Sequence, residues 1–337
     1  MSEHFSGHNL EAGLLQRARS WRDVLPPLVM LQSLRVSGSP IYLTLSLATI
    51  IVLSGLNGAR WDGEIHDPLR FVRSLPSLVP ATLDNLGWMV VSALIAMIPI
   101  ALTMRAGALY AAGRDSESLT ANFKIVGRSA VTLLFVLLLP TACISGLLVP
   151  VAALAVLAHI PSIGLLLTEA FAVFVVPFAI LIGLVAAGSV IAIPLAWASV
   201  TIEKRRDAFD ALSRGYEYLY RRPIQTLLYL AISGGLAVLL GWIATAVAYA
   251  GAVIVGRLFA LVSGDEPLPM VIRVVLSDLP LAVMMTTLWA TLGAVYLLLR
   301  KDANQQEIED IAVSEIDRRA SALPTLQSKK ATAAQTP

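Results

Sequence analysis

The sequence is poor in charged residues. Only 14% of its 337 residues are Asp, Glu, Lys or Arg, whereas 57% are hydrophobic. A soluble domain carries about 25% charged residues, so this chain has too little charge to cover the surface of a soluble fold. The shortage excludes an ordinary water-soluble protein and indicates helices that cross a membrane.

Residues that carry chemistry are also scarce. With one cysteine, Cys143, an intramolecular disulfide is excluded, and its apolar surroundings predict a small buried hydrophobe. The four histidines, at positions 4, 8, 66 and 159, lie outside the apolar runs. Intramembrane hydrolysis needs a nucleophile and a base, or a metal, at membrane depth, and no HExxH motif or glycine-rich phosphate loop is present. We therefore expect no catalytic residue, no metal site and no cofactor, although an interfacial enzyme built from loop carboxylates stays open.

The N-terminal residues predict no cleavable signal. Residues 1–40 contain no early apolar core followed by a small-residue cleavage site, and the first long apolar run begins near Ile41. This run is expected to act as an uncleaved signal-anchor. Residues 1–39 are predicted to form a cytoplasmic segment, in which an amphipathic stretch around Trp21 lies along the membrane surface.

Six apolar runs are long enough, or nearly long enough, to cross a bilayer, which takes roughly 20 residues. They cover about 40–56, 86–104, 131–158, 163–200, 224–256 and 281–299. The stretch 131–200 could also hold three short helices, but the turn at 159–162 favours two. The predicted fold is an all-α polytopic transmembrane bundle of six spans, occupying 40–300, with interfacial amphipathic helices on the cytoplasmic side.

The distribution of basic residues supports this count. Lys and Arg mark the cytoplasmic side of a membrane protein. Six spans place 20 of the 25 Lys and Arg residues on one side, in the N-terminal segment, the loops 105–130 and 201–223, and the tail from Arg300. A third helix within 131–200 would move the loop 201–223 to the other side. We expect a multi-pass protein of the bacterial inner membrane with both ends cytoplasmic, and a tail 301–337 that is disordered from about 321.

The loop 201–223 predicts an amphipathic helix that lies in the interface and links two spans. Its apolar residues share one face at helical spacing: Phe209, Leu212, Tyr216, Leu219 and Tyr220. Its charged residues share the other and form opposite-charge pairs four residues apart: Arg206, Asp210, Arg214, Glu217 and Arg221. Tyrosines favour the boundary between membrane and water.

Basic residues at the two ends of this helix are candidates for binding anionic lipid headgroups: Lys204, Arg205, Arg206, Arg221 and Arg222. Such attraction is worth about 1 kcal/mol per basic residue near the surface. The alternative is that they only enforce orientation. The expected partners are membrane lipids and other membrane proteins or a second copy of the chain, with no nucleic acid.

Glu169 is the only charge in the long apolar stretch 131–200. An ionisable residue inside a membrane is a functional hypothesis by default, so a small transporter or channel with a polar site near Glu169 is one alternative. Glu169 lies six residues into a span with surplus length, so it could equally lie at the outer headgroups. The first hypothesis is a non-enzymatic scaffold or a component that interacts with lipids or proteins.

Two further patterns concern packing. The spacing of Gly183 with Ala187, and of Gly188 with Ala192, is typical of close helix contacts, within the protein or in a dimer. The loop 105–130 also echoes the loop 201–223, with Arg128 placed like Arg221 just before a span. A unit of span, amphipathic helix and span is therefore predicted twice, at 86–158 and 163–256. Repeats of this kind are common in transporters. The alternative is that two unrelated amphipathic loops have converged on the same pattern.

Two segments resemble a known group of proteins. FDALSRGYEYLYRRP at 209–223 and AVYLLLRKDANQQEIEDI at 294–311 are similar to segments of an uncharacterised family of polytopic membrane proteins from planctomycete-type bacteria. The resemblance covers most of 28–311, although the loop 105–130 departs from the glycine- and arginine-rich form of that family. More remotely, the chain resembles the membrane domain attached to some glycerophosphodiester phosphodiesterases. The resemblance implies a membrane fold and no known chemistry.

Overall fold

The computed structural model describes residues 26–56, 83–114, 118–160, 164–203, 207–263 and 268–304, and every regular element in this part of the chain is helical. The helices are α1 Val29–Ser33, α2 Pro40–Leu56, α3 Leu83–Ala111, α4 Leu119–Arg128, α5 Ala130–Leu157, α6 Gly164–Ile202, α7 Ala208–Arg221, α8 Pro223–Ser263 and α9 Met270–Asn304. Helices suit a bilayer because they satisfy every backbone hydrogen bond internally.

Five of these helices are long and apolar enough to cross a membrane: α3, α5, α6, α8 and α9. A sixth crossing exists if the short helical segment 26–36 and α2, which meet at a bend of 76°, count as one span. With 17 residues, α2 alone is about 25 Å long, shorter than the ~30 Å hydrocarbon core. The chain is therefore a polytopic membrane protein, and its first predicted span is part of a bent element.

Helix α9 is the centre of the bundle. It packs against α1, α2, α3, α6 and α8, and 72% of its most apolar 18-residue window is buried, compared with 0% for α6. The helices α5, α6 and α8 carry most of their apolar side chains on the outside. Cys143 in α5 is exposed, so the prediction that its thiol is buried is wrong.

The helices α3 and α9 touch through their backbones. A Cβ atom added to Gly107 would lie 2.1 Å from the carbonyl oxygen of Ala290, and one added to Gly293 would lie 2.1 Å from that of Met104. Only glycine leaves room for this approach. The spacing of residues in the sequence does not indicate this contact, because Gly107 and Gly293 belong to two different helices.

Small residues in α6 also make a close contact, with α7. A Cβ atom on Gly188 would collide with the ring of Tyr216, and one on Gly215 would lie 2.6 Å from the carbonyl oxygen of Ala192. Close packing within the protein is thus confirmed for Gly188 and Ala192. It is wrong for Gly183, which would have no atom within 4 Å of its Cβ.

The span–amphipathic helix–span arrangement occurs twice in the structure, as α3–α4–α5 and as α6–α7–α8. Each amphipathic helix begins at a side-chain cap, since Ser118 accepts a hydrogen bond from the Ala121 amide and Asp207 accepts one from the Phe209 amide. Each is separated by one residue from the span that follows, Ser129 in the first unit and Arg222 in the second. Such caps are worth about 1 kcal/mol each.

The segment before α2 packs into the protein instead of lying at its surface. Val29, Met30, Ser33 and Val36 are all buried, and α1 contacts α3 and α9. The predicted surface helix around Trp21 and the predicted tail beyond Asn304 lie outside the described residues.

Candidate functional site

The helix α7 folds back along the second half of α6. Arg214 in α7 forms an ion pair with Glu203, just beyond the end of α6, whereas the Tyr220 hydroxyl donates to the Leu184 carbonyl oxygen at 3.1 Å. Residue numbers rise along α7 as they fall along α6, so the two helices are antiparallel. The helix links the two long helices as predicted, and its position in the membrane interface stays a prediction.

The tyrosines of α7 attach it to α6. The Tyr216 hydroxyl donates to the Val185 carbonyl oxygen at 3.1 Å and lies 2.7 Å from the Ser189 hydroxyl oxygen. The rings of Tyr216 and Tyr220 stack with centroids 6.0 Å apart, and burial raises the pKa of Tyr216. A partly buried phenol needs a hydrogen-bond partner, and here the backbone of α6 supplies it.

The predicted apolar face of α7 lies only in part against the protein. Leu212 is buried, whereas Phe209 is 72% exposed. The side that packs against the protein also includes Ala211, Gly215 and Tyr218. Tyr218, which the sequence analysis placed on neither face, contacts α9 through the ring of Tyr296 at 6.1 Å.

An ion-pair cluster joins the end of α6 to α7 and α9. One amino group of Arg214 donates to both carboxylate oxygens of Glu203 at 2.7 Å, and its other amino group donates to Asp210 at 2.8 Å. The Tyr296 hydroxyl of α9 donates to the same Glu203 carboxylate. Burial alone would lower the pKa of Arg214, but the surrounding groups, Glu203 first, outweigh it and raise that pKa. The predicted pair Asp210–Arg214 is confirmed, whereas the role of Glu203 was missed.

A second polar network surrounds a buried arginine. Arg105 of α3 is fully buried; it donates to the Asn122 side-chain oxygen at 3.1 Å and to the Thr201 carbonyl oxygen at 2.6 Å. The Asn122 amide then donates to the Tyr42 hydroxyl at 3.1 Å. The positive charge lies at the C-terminal end of α6, where the helix dipole favours it. Arg105 was counted in an inner loop, but it joins α2, α3, α4 and α6 inside the protein.

A small polar pocket lies where α7 ends beside the end of α9. Its volume is about 80 Å³, and it is lined by Glu217, Tyr218, Arg221, Arg222, Leu299 and Ala303. We call it the junction pocket.

Two of the predicted lipid-contact residues belong to the junction pocket. The Arg221 side chain is 78% exposed and pairs with Glu217 at 2.7 Å, as its spacing predicted, and Arg222 is also exposed. The structure therefore brings Arg221 and Arg222 together beside Tyr218. Lys204, Arg205 and Arg206 lie outside the described residues, so their part in a shared basic surface stays a prediction.

Glu169 is exposed near the start of α6. Glu203 follows the other end of the same helix, about 50 Å away at 1.5 Å per residue, so the structure does not bring Glu169 to the junction pocket. Its exposure argues against a position in the interior of the bundle, and its depth in the membrane stays a prediction.

Asp278 is a carboxylate that the sequence analysis missed. It is 1% exposed and lies inside α9, which begins at Met270, 11 residues before the predicted span. Asp278 and Arg273 lower the hydropathy of this stretch, so the predicted span began only after them.

Two apolar clefts lie on either side of α2. One, of about 990 Å³, is formed by α2, α3 and α4, with Lys124 as the charged residue of its lining. The other, of about 410 Å³, is formed by α2, α3 and α9. Clefts of this size and polarity suit an apolar ligand.

No group of three or more His, Cys, Asp or Glu side chains among the described residues could hold a metal ion. Comparisons with protein-family models, with curated proteins and with solved structures find no match to this chain.

Proposed function

We propose that this chain is a six-span protein of the bacterial cytoplasmic membrane that binds anionic lipid headgroups at its inner face and serves as a non-enzymatic scaffold for lipids or other membrane proteins. The count of six treats the bent segment 26–56 as one span. The inner-face assignment rests on the 20 of 25 basic residues that this topology places together.

The observation that carries the proposal is the firm attachment of the two arginines. Arg221 ends α7 and Arg222 follows it, and this helix is bound to α6 by two tyrosines and to α6 and α9 by the Glu203 cluster. The backbone from which both side chains project is therefore held in one place beside the junction pocket. Two basic residues near an anionic surface contribute about 2 kcal/mol, or roughly 30-fold in affinity.

The apolar clefts support the same function. The larger cleft offers a surface for acyl chains, and Lys124 can meet an anionic headgroup at its edge. A lipid bound there would contact α2, α3 and α4 together.

Lipid retention tests this proposal. We would purify the wild type, the double variant Arg221→Ala/Arg222→Ala and the control Arg257→Ala, and count retained anionic lipids by native mass spectrometry. Arg257 is an exposed arginine on the same helix as Pro223, but about 50 Å away. We expect the double variant to lose at least tenfold in affinity and the control to match the wild type. Equal retention in all three would refute lipid binding at this junction.

A transporter or channel is the second candidate function, and Asp278 is the observation that favours it. A carboxylate that is 1% exposed inside a span-length helix is a residue type that marks ion or proton pathways. The test measures the flux of protons or cations into proteoliposomes. A transporter would show a flux that Asp278→Asn abolishes and Glu169→Gln preserves if Glu169 lies at the headgroups. No flux in the wild type would contradict this candidate.

A further inference from the structure

The two units of span, amphipathic helix and span differ in how their amphipathic helices pack. Arg128 ends α4 and Arg221 ends α7, and one residue separates each of them from the next long helix. Counting back from these arginines gives three pairs of equivalent positions: Leu119 with Leu212, Phe123 with Tyr216, and Gly127 with Tyr220. The apolar face of α4 is therefore comparable with that of α7, residue by residue.

In the second unit, the protein fills these positions itself. Leu212 is 8% exposed, and the Tyr216 hydroxyl donates to the Val185 carbonyl oxygen of α6. The ring of Tyr220 stacks on that of Tyr216. The helices α6 and α7 thus cover each other along this face with their own side chains.

In the first unit, the same positions are open. Leu119 is 41% exposed and Phe123 is 57% exposed. Gly127 contributes no side chain where Tyr220 stands in α7, and a Cβ atom added to it would meet nothing within 4 Å. The face of α4 that corresponds to the packed face of α7 is therefore largely uncovered by the residues that the structure describes.

This open face lines the larger of the two apolar clefts, which we call the α4 cleft. Its volume is about 990 Å³, at the upper end of the range for ligand sites. Its apolar walls include, from α2, α3 and α4 in turn, Ile41, Leu45, Ile98, Leu102, Leu119 and Phe123. Since all six side chains are apolar, the part of a ligand that lies between them must be apolar too.

One basic side chain lines the same cleft. Lys124 follows Phe123 on α4 and is exposed. A lysine can lay its apolar stem along such a wall and keep its ammonium group in water. An apolar cleft beside an ammonium group matches both parts of an anionic phospholipid, the acyl chain and the phosphate. The charge therefore favours an anionic lipid over a neutral one.

We propose that the α4 cleft binds one acyl chain of an anionic phospholipid as a structural part of the fold, in the place that the protein's own side chains fill beside α7. Lys124 binds the phosphate of the same lipid. The inference rests on the proposed function, lipid binding at the inner face, and deepens it. It adds a second site that shares no residue with the junction pocket, and it gives the bound lipid a structural role.

Photo-crosslinking locates the acyl chain. Phosphatidylglycerol with a photoreactive acyl chain would be incorporated with the full-length protein into nanodiscs, and cross-linked peptides would be identified by mass spectrometry. Ala48→Trp places a large side chain in the cleft, which Ala48 lines. The matched control is Ala179→Trp, at an exposed alanine of α6. Phosphatidylcholine with the same photoreactive chain serves as the neutral lipid.

We expect the wild type to cross-link phosphatidylglycerol within 41–48 and 119–124. Ala48→Trp should lose most of this yield, because the indole ring occupies the space of the chain, whereas Ala179→Trp should match the wild type. Lys124→Gln should lower the phosphatidylglycerol yield about fivefold, the effect of about 1 kcal/mol from one basic residue, and leave the phosphatidylcholine yield unchanged. Arg128→Gln, at an exposed basic residue of α4 outside the cleft lining, should keep the wild-type yield.

Thermal unfolding in detergent tests the structural role, because a ligand that binds only the folded state stabilises it. The measurement would use the Arg221→Ala/Arg222→Ala background, which removes the arginines of the junction pocket. Added phosphatidylglycerol should raise the unfolding temperature of this background alone and with Ala179→Trp, but not with Ala48→Trp. An equal rise in all three would overturn the structural role of a lipid in the cleft.

Cross-linking within 41–48 and 119–124 that is equal in Ala48→Trp and the wild type, or absent from both, would overturn the α4 cleft as a lipid site. Lys124 is exposed, so Lys124→Gln keeps the test open if Ala48→Trp does not fold. An unchanged phosphatidylglycerol yield in Lys124→Gln would overturn the anionic preference. If the cleft failed but Arg221→Ala/Arg222→Ala still lost anionic lipids, the proposed function would stand without the cleft. If neither effect were seen, both proposals would fail.

Discussion

Replacing Gly107 with alanine probes the contact on which the bundle depends. The added Cβ atom would lie 2.1 Å from the carbonyl oxygen of Ala290 and 2.6 Å from that residue's carbonyl carbon and Cα, whereas ordinary contacts begin near 3.4 Å. All three atoms belong to the backbone of α9, so no side chain can turn away. The two helices would have to separate by about 1 Å, a separation inferred from that contact distance.

The size of the effect follows from this geometry. Overpacking a core costs about 1–3 kcal/mol and sometimes more, and a clash between backbones belongs at the upper end. A matched control is Gly183→Ala in α6, where the new Cβ would meet no atom within 4 Å. There alanine should stabilise the helix by about 0.5–1 kcal/mol. The two variants should therefore differ by roughly 2–4 kcal/mol.

Thermal unfolding in detergent, followed by the loss of the monodisperse peak in size-exclusion chromatography, measures this difference. We expect Gly107→Ala to unfold several degrees below the wild type and Gly183→Ala to unfold at or above it. Equal unfolding temperatures for the two variants would refute the close contact between α3 and α9.

Three further predictions concern α7 and its neighbours. Glu203→Gln should destabilise the protein by about 1–3 kcal/mol because it removes a charge that Arg214 contacts through both carboxylate oxygens. Glu217→Gln, in a more exposed pair, should cost under about 0.5 kcal/mol. Equal unfolding temperatures for the two variants would contradict this prediction. Tyr216→Phe should cost about 1 kcal/mol by removing the hydrogen bond to α6, again read from thermal unfolding; no loss would show that this bond does not hold α7. Because the pKa of Tyr218 is raised from 10 to about 12, its neutral form stabilises the fold below pH 10, and that contribution is lost as the pH rises through 12. The wild type should therefore lose more stability between pH 10 and 12 than Tyr218→Phe does, and parallel losses would contradict the shift.

Hydropathy predicts the helical class because a membrane helix must be apolar over its length. It fails where tertiary contacts decide the structure. Met30 and Val36 are fully buried, so packing against α3 and α9 adds a helical segment to a run that is too short to span alone. The predicted start of α9 was too late because the carboxylate of Asp278 lowers the hydropathy of a stretch that is helical and buried in the protein.

The sequence predicts those contacts of the candidate site that join residues close together along the chain. The pairs Asp210–Arg214 and Glu217–Arg221 follow from their spacing along one helix. The contact between Glu203 and Tyr296 joins residues 93 positions apart, and nothing in the spacing of a single sequence indicates it. Tyr218 was missed for the same reason, because its partner surface lies on α9.

Orientation in the membrane is the claim on which the account depends most, and cysteine labelling tests it directly. In a Cys143→Ala background, Ser213→Cys would report on α7 and Arg257→Cys on the far end of α8, both positions being exposed. A membrane-impermeant maleimide applied to intact spheroplasts should label Arg257→Cys at once and Ser213→Cys only after permeabilisation. Labelling of Ser213→Cys in intact spheroplasts, with protection of Arg257→Cys, would contradict the placement of the junction pocket at the cytoplasmic face.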